Sequence, residues 1–366
     1  MDYQPIRLLM TTDAVGGVWQ YAIELASGLL DHGVQTSLAV LGPPPNGNQR
    51  EAASAVRGLT LLETGLPLDW LSEAGSTREA AAEVAALARQ ERADIVHLNS
   101  PALAADQVFP VPVLGAAHGC LATWWEAARA RQPLDPAFRW HEDLMSRGLR
   151  ACDRVITPST SYAEIVRRRY RLPTRPRVVH NGRSTAAAGG HAPQHDCAFT
   201  AGRLWDEVKN TSTLDAVAAL LPFPFYAAGS VTAPHGETVS TEHLYLLGQL
   251  DTASLARRLA TRPVFVSAAT FEPFGLAVLE AAASGCPLVL SDIATFRELW
   301  DGVAVFVPSC DAEGFAAAIQ DCVQDLPLRA ALGAAARDRA RRYSAERMAS
   351  RTAAHYRELL STRVAA

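Results

Sequence analysis

The sequence lacks long apolar runs and paired cysteines, and each absence argues against a class of protein. No stretch reaches the roughly eighteen uninterrupted apolar residues that a membrane-spanning helix needs. The six cysteines form no Cys-x-x-Cys pair, which argues against the common zinc and redox motifs and favours free thiols. We also expect no secretory leader, because none is visible before the first strand candidate. The sequence therefore predicts a cytoplasmic protein that does not cross a membrane.

The chain also lacks an excess of charge that would attract nucleic acid. Its net charge is -4 at pH 7, so we expect no nucleic-acid partner. Residues 121–183 differ from the rest, since they contain thirteen Arg against six Asp or Glu. A solvated helix face is the simplest interpretation of this Arg-rich segment. An anionic acceptor, or peripheral contact with the inner face of a membrane, is the alternative.

Length and hydrophobic patterning predict two α/β domains. A chain of 366 residues is longer than one hydrophobic core usually supports. Short apolar runs alternate with helical patterns, which is typical of parallel sheets covered on both faces. The strand candidates are 6–10, 36–41, 59–62, 94–98, 111–116, 154–158, 177–179, 197–202, 225–229, 244–247, 264–267, 287–291 and 304–307.

A stretch of small residues divides these candidates into two groups. We predict an N-terminal Rossmann-like domain over 1–183 and a linker over 184–195. A second Rossmann-like domain is predicted over 196–340, followed by a C-terminal helix over 341–366 that packs back on the first domain. Ligands of doubly wound sheets bind outside the carboxyl ends of the strands, so the site is expected where the two domains face each other.

The most specific motif is Phe271-Glu272-Pro273-Phe274-Gly275-Leu276-Ala277-Val278-Leu279-Glu280, which follows a strand candidate. Proline suits a first helical turn and disfavours helix at the residue before it, so Glu272 is expected in a loop and Pro273 at the start of a helix. The amides of Phe274, Gly275 and Leu276 would then form an anion seat at the positive end of that helix.

This motif resembles the E-x7-E signature of retaining GT-B glycosyltransferases, glycosyltransferase family 4 in particular. The run from 281 to 289 continues the resemblance. It implies a fold of two doubly wound Rossmann-like domains facing across a cleft. It also implies that Glu272 hydrogen-bonds the hydroxyls of the donor sugar and that Glu280 binds the ribose.

A second motif extends from Ala201 to Asn210 and contains Lys209, the only lysine among 34 Lys and Arg residues. We find no Asp-x-Asp motif of the kind that holds a divalent metal, so the charge of a departing diphosphate must be met by fixed cations. The segment resembles the GR-L-x-x-x-K-G stretch of the same family, with Asn210 where glycine is usual. The resemblance implies that Arg203 and Lys209 contact the phosphates.

Weaker positions are carried over from the same resemblance. Gly16 and Gly17 would border the donor diphosphate, and His118 would contact the sugar near the reacting carbon. Asn181 matches a stretch near the hinge, and backbone groups at Gly229 and Leu250 would contact the nucleobase. Taken alone, the glycine pair equally suits close helix packing, and a lone histidine is more often structural. No G-x-G-x-x-G fingerprint is present, which argues against a dehydrogenase.

Together these residues predict a retaining, metal-independent glycosyltransferase, a hexosyltransferase of the kind used in polysaccharide biosynthesis. Its substrate is expected to be a UDP- or GDP-sugar, with no cofactor. The acceptor is expected to be a hydroxyl of a glycan, a lipid-linked molecule or a small molecule. A GT-B sugar-nucleotide epimerase, a glycogen- or trehalose-type synthase, and a catalytically degenerate partner protein are the alternatives.

Overall fold

A computed structural model describes residues 5–184, 194–234 and 236–364 of the chain. Contacts divide the chain into two compact units. The first unit comprises Met1–Ser184 together with Ala345–Ala366, and the second comprises Thr185–Ser344. Most of the predicted linker, residues 185–193, lies outside the described residues.

The first unit contains a seven-stranded parallel sheet. Its strands are β1 (Ile6–Asp13), β2 (Val34–Leu41), β3 (Leu59–Glu63), β4 (Ile95–Leu98), β5 (Val113–Ala116), β6 (Arg154–Thr157) and β7 (Arg177–Val178). Its helices before the linker are α1 (Gly17–Leu29), α2 (Gly47–Ser54), α3 (Ala74–Gln90), α4 (Leu121–Ala128), α5 (Arg139–Ala151) and α6 (Thr160–Arg169). The strand order is β3-β2-β1-β4-β5-β6-β7, a doubly wound arrangement.

The second unit repeats this plan with six parallel strands. They are β8 (Ala198–Ala201), β9 (Phe225–Ala228), β10 (Tyr245–Leu246), β11 (Val264–Ser267), β12 (Leu288–Ser291) and β13 (Val305–Val307). The helices are α7 (Thr211–Leu220), α8 (Thr252–Ala260), α9 (Leu276–Ser284), α10 (Ala294–Trp300), α11 (Ala312–Gln324) and α12 (Leu326–Ala340). The order β10-β9-β8-β11-β12-β13 is again doubly wound.

Alternating apolar side chains explain why both sheets are buried on two faces. In β1, Leu8 and Met10 enter one core cluster and Leu9 enters the other. In β11, Phe265 faces one cluster, and its two valine neighbours face the opposite one. Successive side chains of a strand point to opposite faces, so a continuous apolar run is stable only between two helical layers.

The last helix, α13 (Ala345–Val364), belongs to the first unit. Met348 and Tyr356 are buried in the same cluster as the apolar face of α1. The helices approach closely at Gly28, where an added Cβ would lie 2.7 Å from the Cβ of Ala349. A small residue is therefore needed on α1 at this crossing.

The predicted α/β fold and its thirteen strands are confirmed, with one correction in the first strand. The first strand candidate ended at Met10, but Thr11, Thr12 and Asp13 continue β1. Their backbones extend the parallel pairing with β2, in which Thr12 lies opposite Val40 and Asp13 opposite Leu41. Because β2 is apolar to its end, the paired backbone decides the conformation over the polar side chains of β1.

Candidate active site

The first turn of α9 begins later than the sequence predicts. Pro273 was expected in the first helical turn, but the helix starts at Leu276 and Gly275 is its N-cap. Gly275 has φ 91° and ψ 68°, a left-handed conformation that interrupts the helix before Leu276 and favours glycine. A glycine has no side chain with which to cap the first amides of α9. These amides thus depend on other groups for their hydrogen bonds.

Lys209 and Glu272 lie in contact at this helix start. The Nζ of Lys209 donates to Oε2 of Glu272, and their side chains are 22% and 16% exposed. Lys209 ends a 3₁₀ turn, Glu207–Lys209, that follows β8. The amide of Thr270 donates to the carbonyl of Val208 over 2.9 Å, which holds this turn against the segment after β11. Two motifs that are distant in sequence therefore meet at the carboxyl edge of one sheet.

Asn210, the departure from the family pattern, suits the backbone at its position. Its φ of 57° and ψ of 47° are left-handed, which glycine and asparagine adopt most readily. Unlike glycine, it also forms side-chain hydrogen bonds. Its Nδ2 donates to the carbonyls of Ala268 at 3.2 Å and Ser309 at 2.8 Å. The substitution thus keeps the backbone conformation and ties three loops together.

Arg203 forms an ion pair inside its own motif. Its Nη2 lies 2.8 Å from Oδ2 of the buried Asp206, and its guanidinium stands 5.4 Å from the ring centre of Trp205. The side chain remains 42% exposed. A guanidinium has five N–H donors, so this pairing leaves others for a ligand. The sequence did not single out Asp206, whose only signal was its position three residues after Arg203.

Gly229 and Leu250 lie beyond the ends of neighbouring strands. Gly229 has φ 136°, and a Cβ there would lie 1.7 Å from the carbonyl oxygen of Gly202. Its amide donates to the carbonyl of Gly248 over 2.8 Å. Leu250 is half-buried against the apolar cluster of α9. Glycine at 229 is therefore required by the close approach of two loops at this edge.

The remaining residues of the E-x7-E motif have distinct surroundings. The ring of Phe274 is buried and packs edge-on against Tyr343, with 5.6 Å between ring centres. Only its backbone can therefore serve a ligand. Leu276 is the first residue of α9. Glu280 lies on the same helix and is half-buried.

In the first unit, Gly16 and Gly17 form the start of α1, as expected for the loop after β1. Asp13, which the sequence analysis did not single out, holds this loop. Its Oδ1 accepts from the amides of Val15 at 2.9 Å and Gly16 at 3.2 Å. The Gly16 amide is thus directed to a carboxylate in this structure.

His118 follows β5 at the carboxyl edge of the first sheet. Its Nε2 lies 2.7 Å from Oδ1 of Asn99, and its ring packs edge-on against Tyr21 at 4.3 Å between centres. Burial lowers the pKa of His118 to about 4, so the imidazole is neutral at pH 7. Asn99 was missed in the sequence, where its only signal was a polar residue directly after a strand.

Asn181 lies in the first unit, shortly after β7, the last strand of the first sheet. Its side chain is 7% exposed, and within the described residues its Oδ1 has no hydrogen-bond partner. The amide of the next residue, Gly182, donates to the sulfur of Met348 on α13 over 3.2 Å. This places Asn181 beside the connection between the first sheet and the last helix.

Comparison with protein families identifies the chain. A family model described as Glycosyltransferase Family 4 matches residues 15–187, and one described as Glycosyl transferases group 1 matches residues 196–325. The chain is a GT-B glycosyltransferase of family 4. The predicted enzyme class is confirmed.

Solved structures share the fold of this glycosyltransferase over almost its whole length. Sucrose-phosphate synthase from Thermosynechococcus elongatus is 18% identical, with a TM-score of 0.78, and the match covers 98% of this chain and 100% of that one. HepE from Anabaena, solved in complex with UDP-glucose, is 16% identical, with a TM-score of 0.72 and coverage of 98% and 100%. At these identities the likeness shows the fold alone.

Curated relatives match the glycosyltransferase over a shorter segment. A phosphatidyl-myo-inositol mannosyltransferase from Mycolicibacterium smegmatis is 40% identical over 104 residues, which is 28% of this chain and 27% of the relative. A protein of the same name from Mycobacterium leprae is 36% identical over 105 residues, 28% of each chain. The match thus spans about a quarter of the length of these relatives.

At least six of the thirteen arginines of segment 121–183 form ion pairs with acidic side chains. Arg167 pairs with Glu164 at 2.5 Å, and Arg168 with Glu126 at 3.1 Å. Arg169 and Arg147 likewise pair with acidic side chains. The segment therefore presents less free positive charge than its composition suggests, and membrane contact stays a prediction. Of the helices in the described ranges, none has both the length and the apolarity needed to span a bilayer.

Proposed function

We propose that the enzyme is a retaining, metal-independent hexosyltransferase that uses a UDP- or GDP-sugar. The observation that carries this proposal is the meeting of Lys209 and Glu272 at the start of α9. A fixed ammonium beside uncapped helix amides suits the negative charge that develops on a departing diphosphate. The complex of HepE with UDP-glucose supports a nucleotide sugar as donor.

In this proposal the second unit binds the donor. Lys209, Arg203 and the first amides of α9 stabilise the diphosphate, and the carboxylate of Glu272 accepts hydrogen bonds from sugar hydroxyls. Glu280 binds the ribose, while loop backbone at Gly229 and Leu250 contacts the base. Both cations already have one carboxylate partner each, and their remaining N–H donors are the ones that we assign to the diphosphate.

The first unit contributes the groups that orient the sugar and the acceptor. We assign these roles to His118 and to the loop at Gly16 and Gly17. The family resemblance implies front-side attack by the acceptor hydroxyl, with a phosphate oxygen of the leaving group accepting its proton. The names of the curated relatives favour a lipid-linked or glycan acceptor.

A panel of nucleotide sugars tests this proposal. We expect UDP-glucose, UDP-N-acetylglucosamine or GDP-mannose to raise the melting temperature and to support transfer in the presence of EDTA, with retention at the anomeric carbon by NMR. Arg203→Met should lower kcat about 10²- to 10³-fold, because it removes a fixed cation from the leaving group. Arg341→Met, which removes an exposed arginine at the C-terminal cap of α12, is the matched control and should leave kcat unchanged.

Three results would contradict the proposal. Loss of transfer in EDTA that added Mg²⁺ restores would exclude metal independence. Inverted product would exclude retention. Conversion of the donor to its epimer without any acceptor would favour the epimerase alternative.

A further inference from the structure

The side-chain amide of Asn99 has only one orientation that satisfies its neighbours. Its Nδ2 lies 2.7 Å from the backbone carbonyl of Thr11, and its own backbone N–H donates to Oγ1 of Thr11 over 3.0 Å. A carbonyl oxygen accepts hydrogen bonds and cannot donate them. The NH₂ group must therefore face Thr11, and Oδ1 must face the opposite way.

The fixed Oδ1 of Asn99 determines the protonation of His118. It lies 2.7 Å from Nε2 of the ring, and an amide oxygen only accepts, so Nε2 must carry the hydrogen. In a neutral imidazole the other nitrogen, Nδ1, then has a lone pair. Nδ1 has no hydrogen-bond partner in the part of the chain that the structure describes, and the side chain is only partly buried. It is thus available to a ligand.

The groups around His118 keep the ring neutral. Tyr21 faces it from α1, and His97 faces it from β4. Burial raises the pKa of Tyr21 and lowers the pKa of His97 to about 3, so neither is charged at pH 7. His97 is held in turn by Tyr356 of α13, whose hydroxyl lies 2.6 Å from Nδ1. These neighbours therefore supply no negative charge that would stabilise an imidazolium at His118.

We propose that Asn99 is a positioning residue that fixes His118 as the Nε2–H tautomer, so that Nδ1 accepts a hydrogen bond from a hydroxyl group of a sugar substrate. This inference rests on the proposed function, since it names the chemistry that His118 recognises. A neutral ring with a lone pair on Nδ1 cannot donate from that atom to a phosphate oxygen. His118 therefore selects a hydroxyl of the donor or of the acceptor.

The tautomer can be measured in the ligand-free enzyme. Two-bond ¹H–¹⁵N spectra of protein labelled at histidine distinguish Nε2–H, Nδ1–H and imidazolium rings, and the signal missing in His118→Gln assigns the residue. We expect a neutral Nε2–H ring at pH 7.5. An Nδ1–H ring or an imidazolium would overturn the proposal. A neutron crystal structure of the wild-type enzyme gives the same answer without any variant.

An isosteric substitution tests whether Asn99 controls the protonation of His118. In Asn99→Asp, one carboxylate oxygen takes the place of Oδ1 beside Nε2 and stabilises the imidazolium, while the other loses the hydrogen bond that Nδ2 donates to the carbonyl of Thr11. The midpoint of the His118 titration should rise by about 1 to 3 pH units. The acid limb of the transfer-rate profile should move up with it. Asn46→Asp makes the same chemical change at the exposed cap of α2 and should leave both unchanged. An unchanged His118 midpoint in Asn99→Asp would contradict the proposal.

Ligand titrations identify the source of the hydroxyl. A shift of the His118 Nδ1 signal with UDP-glucose or GDP-mannose, but not with UDP or GDP, assigns it to the donor sugar. A shift that requires methyl α-mannoside assigns it to the acceptor. If the Nδ1 signal of His118 does not shift while transfer is under way, the proposed hydrogen bond from a substrate hydroxyl is wrong. If no nucleotide sugar supports transfer, the proposed function fails, whereas the tautomer result in the free enzyme still stands or falls by itself.

Discussion

Lys209 and Glu272 have different proposed ligands, yet in the free enzyme they neutralise each other. Both side chains are mostly buried, at 22% and 16% exposed. Removing one partner of such a pair leaves the other charge partly desolvated and uncompensated, which costs more than the pair contributes. Removing both should avoid that cost. Stability and activity must therefore respond differently to the single and double substitutions.

A double-mutant cycle with Lys209→Met and Glu272→Gln separates these effects. We expect each single variant to lower the free energy of unfolding by about 1 to 2 kcal/mol and the double variant to lose no more, a coupling of about 1 kcal/mol or more in urea denaturation. Transfer should fall about 10²- to 10³-fold in each single variant and should not recover in the double.

The exposed pair Arg341–Asp338 is the matched control, since its side chains are 77% and 78% exposed. Arg341→Met and Asp338→Asn should give additive changes close to zero. Additive losses at Lys209 and Glu272 would show that they are not energetically coupled. Recovered transfer in the double variant would show that their role is structural.

At the scale of elements, strands were predictable and helix starts were not. Apolar runs such as Val264–Ser267 are long enough to mark a buried strand, and this one has the bounds that the sequence predicts. The start of α9 depends instead on the left-handed backbone of Gly275. A proline two residues earlier suggests a helix start from local preference alone. The local signal at Pro273 was therefore misleading about where α9 begins.

Because the backbone of Gly229 lies so close to that of Gly202, adding one methyl group at Gly229 should strongly destabilise the protein. In Gly229→Ala the new Cβ would lie 1.7 Å from the oxygen of Gly202, and the φ of 136° disfavours any side chain. The ends of β8 and β9 must separate, so we expect a loss of at least about 2 kcal/mol in urea denaturation. Gly47→Ala in the first turn of α2 is the control, because nothing lies within 4 Å of its Cβ. Equal stability of the two variants would contradict this packing.

At the scale of the whole molecule, the contacts hardest to predict join distant parts of the chain. Asn99 reaches His118, and Tyr356 of the last helix reaches His97 in the first sheet. Spacing within a motif gives no signal for such pairs, because the fold alone brings them together. The sequence therefore suggested His118 as a site residue by resemblance alone and missed both Asn99, which contacts its ring, and the buried His97 behind it.

The lowered pKa values of the buried His97 and the partly buried His118 predict that acid destabilises the first unit before the second. Burial lowers the pKa of His97 to about 3 and of His118 to about 4, whereas an unfolded histidine titrates near 6.5. Below pH 6.5 the unfolded chain therefore binds more protons than the folded chain, and the free energy of unfolding should fall by about 1.4 kcal/mol per pH unit for each histidine until about pH 4.

Hydrogen exchange by mass spectrometry at pH 7.5, 6.5 and 5.5, corrected for the chemical exchange rate, should show this loss of stability in peptides of the first unit. The described histidines of the second unit, His195 and His243, are exposed, so its peptides serve as the internal control. His118→Gln should reduce the slope without abolishing it, because His97 and His355 of α13, whose pKa is also lowered by burial, remain. An equal response of both units would show that these rings do not titrate as the structure requires.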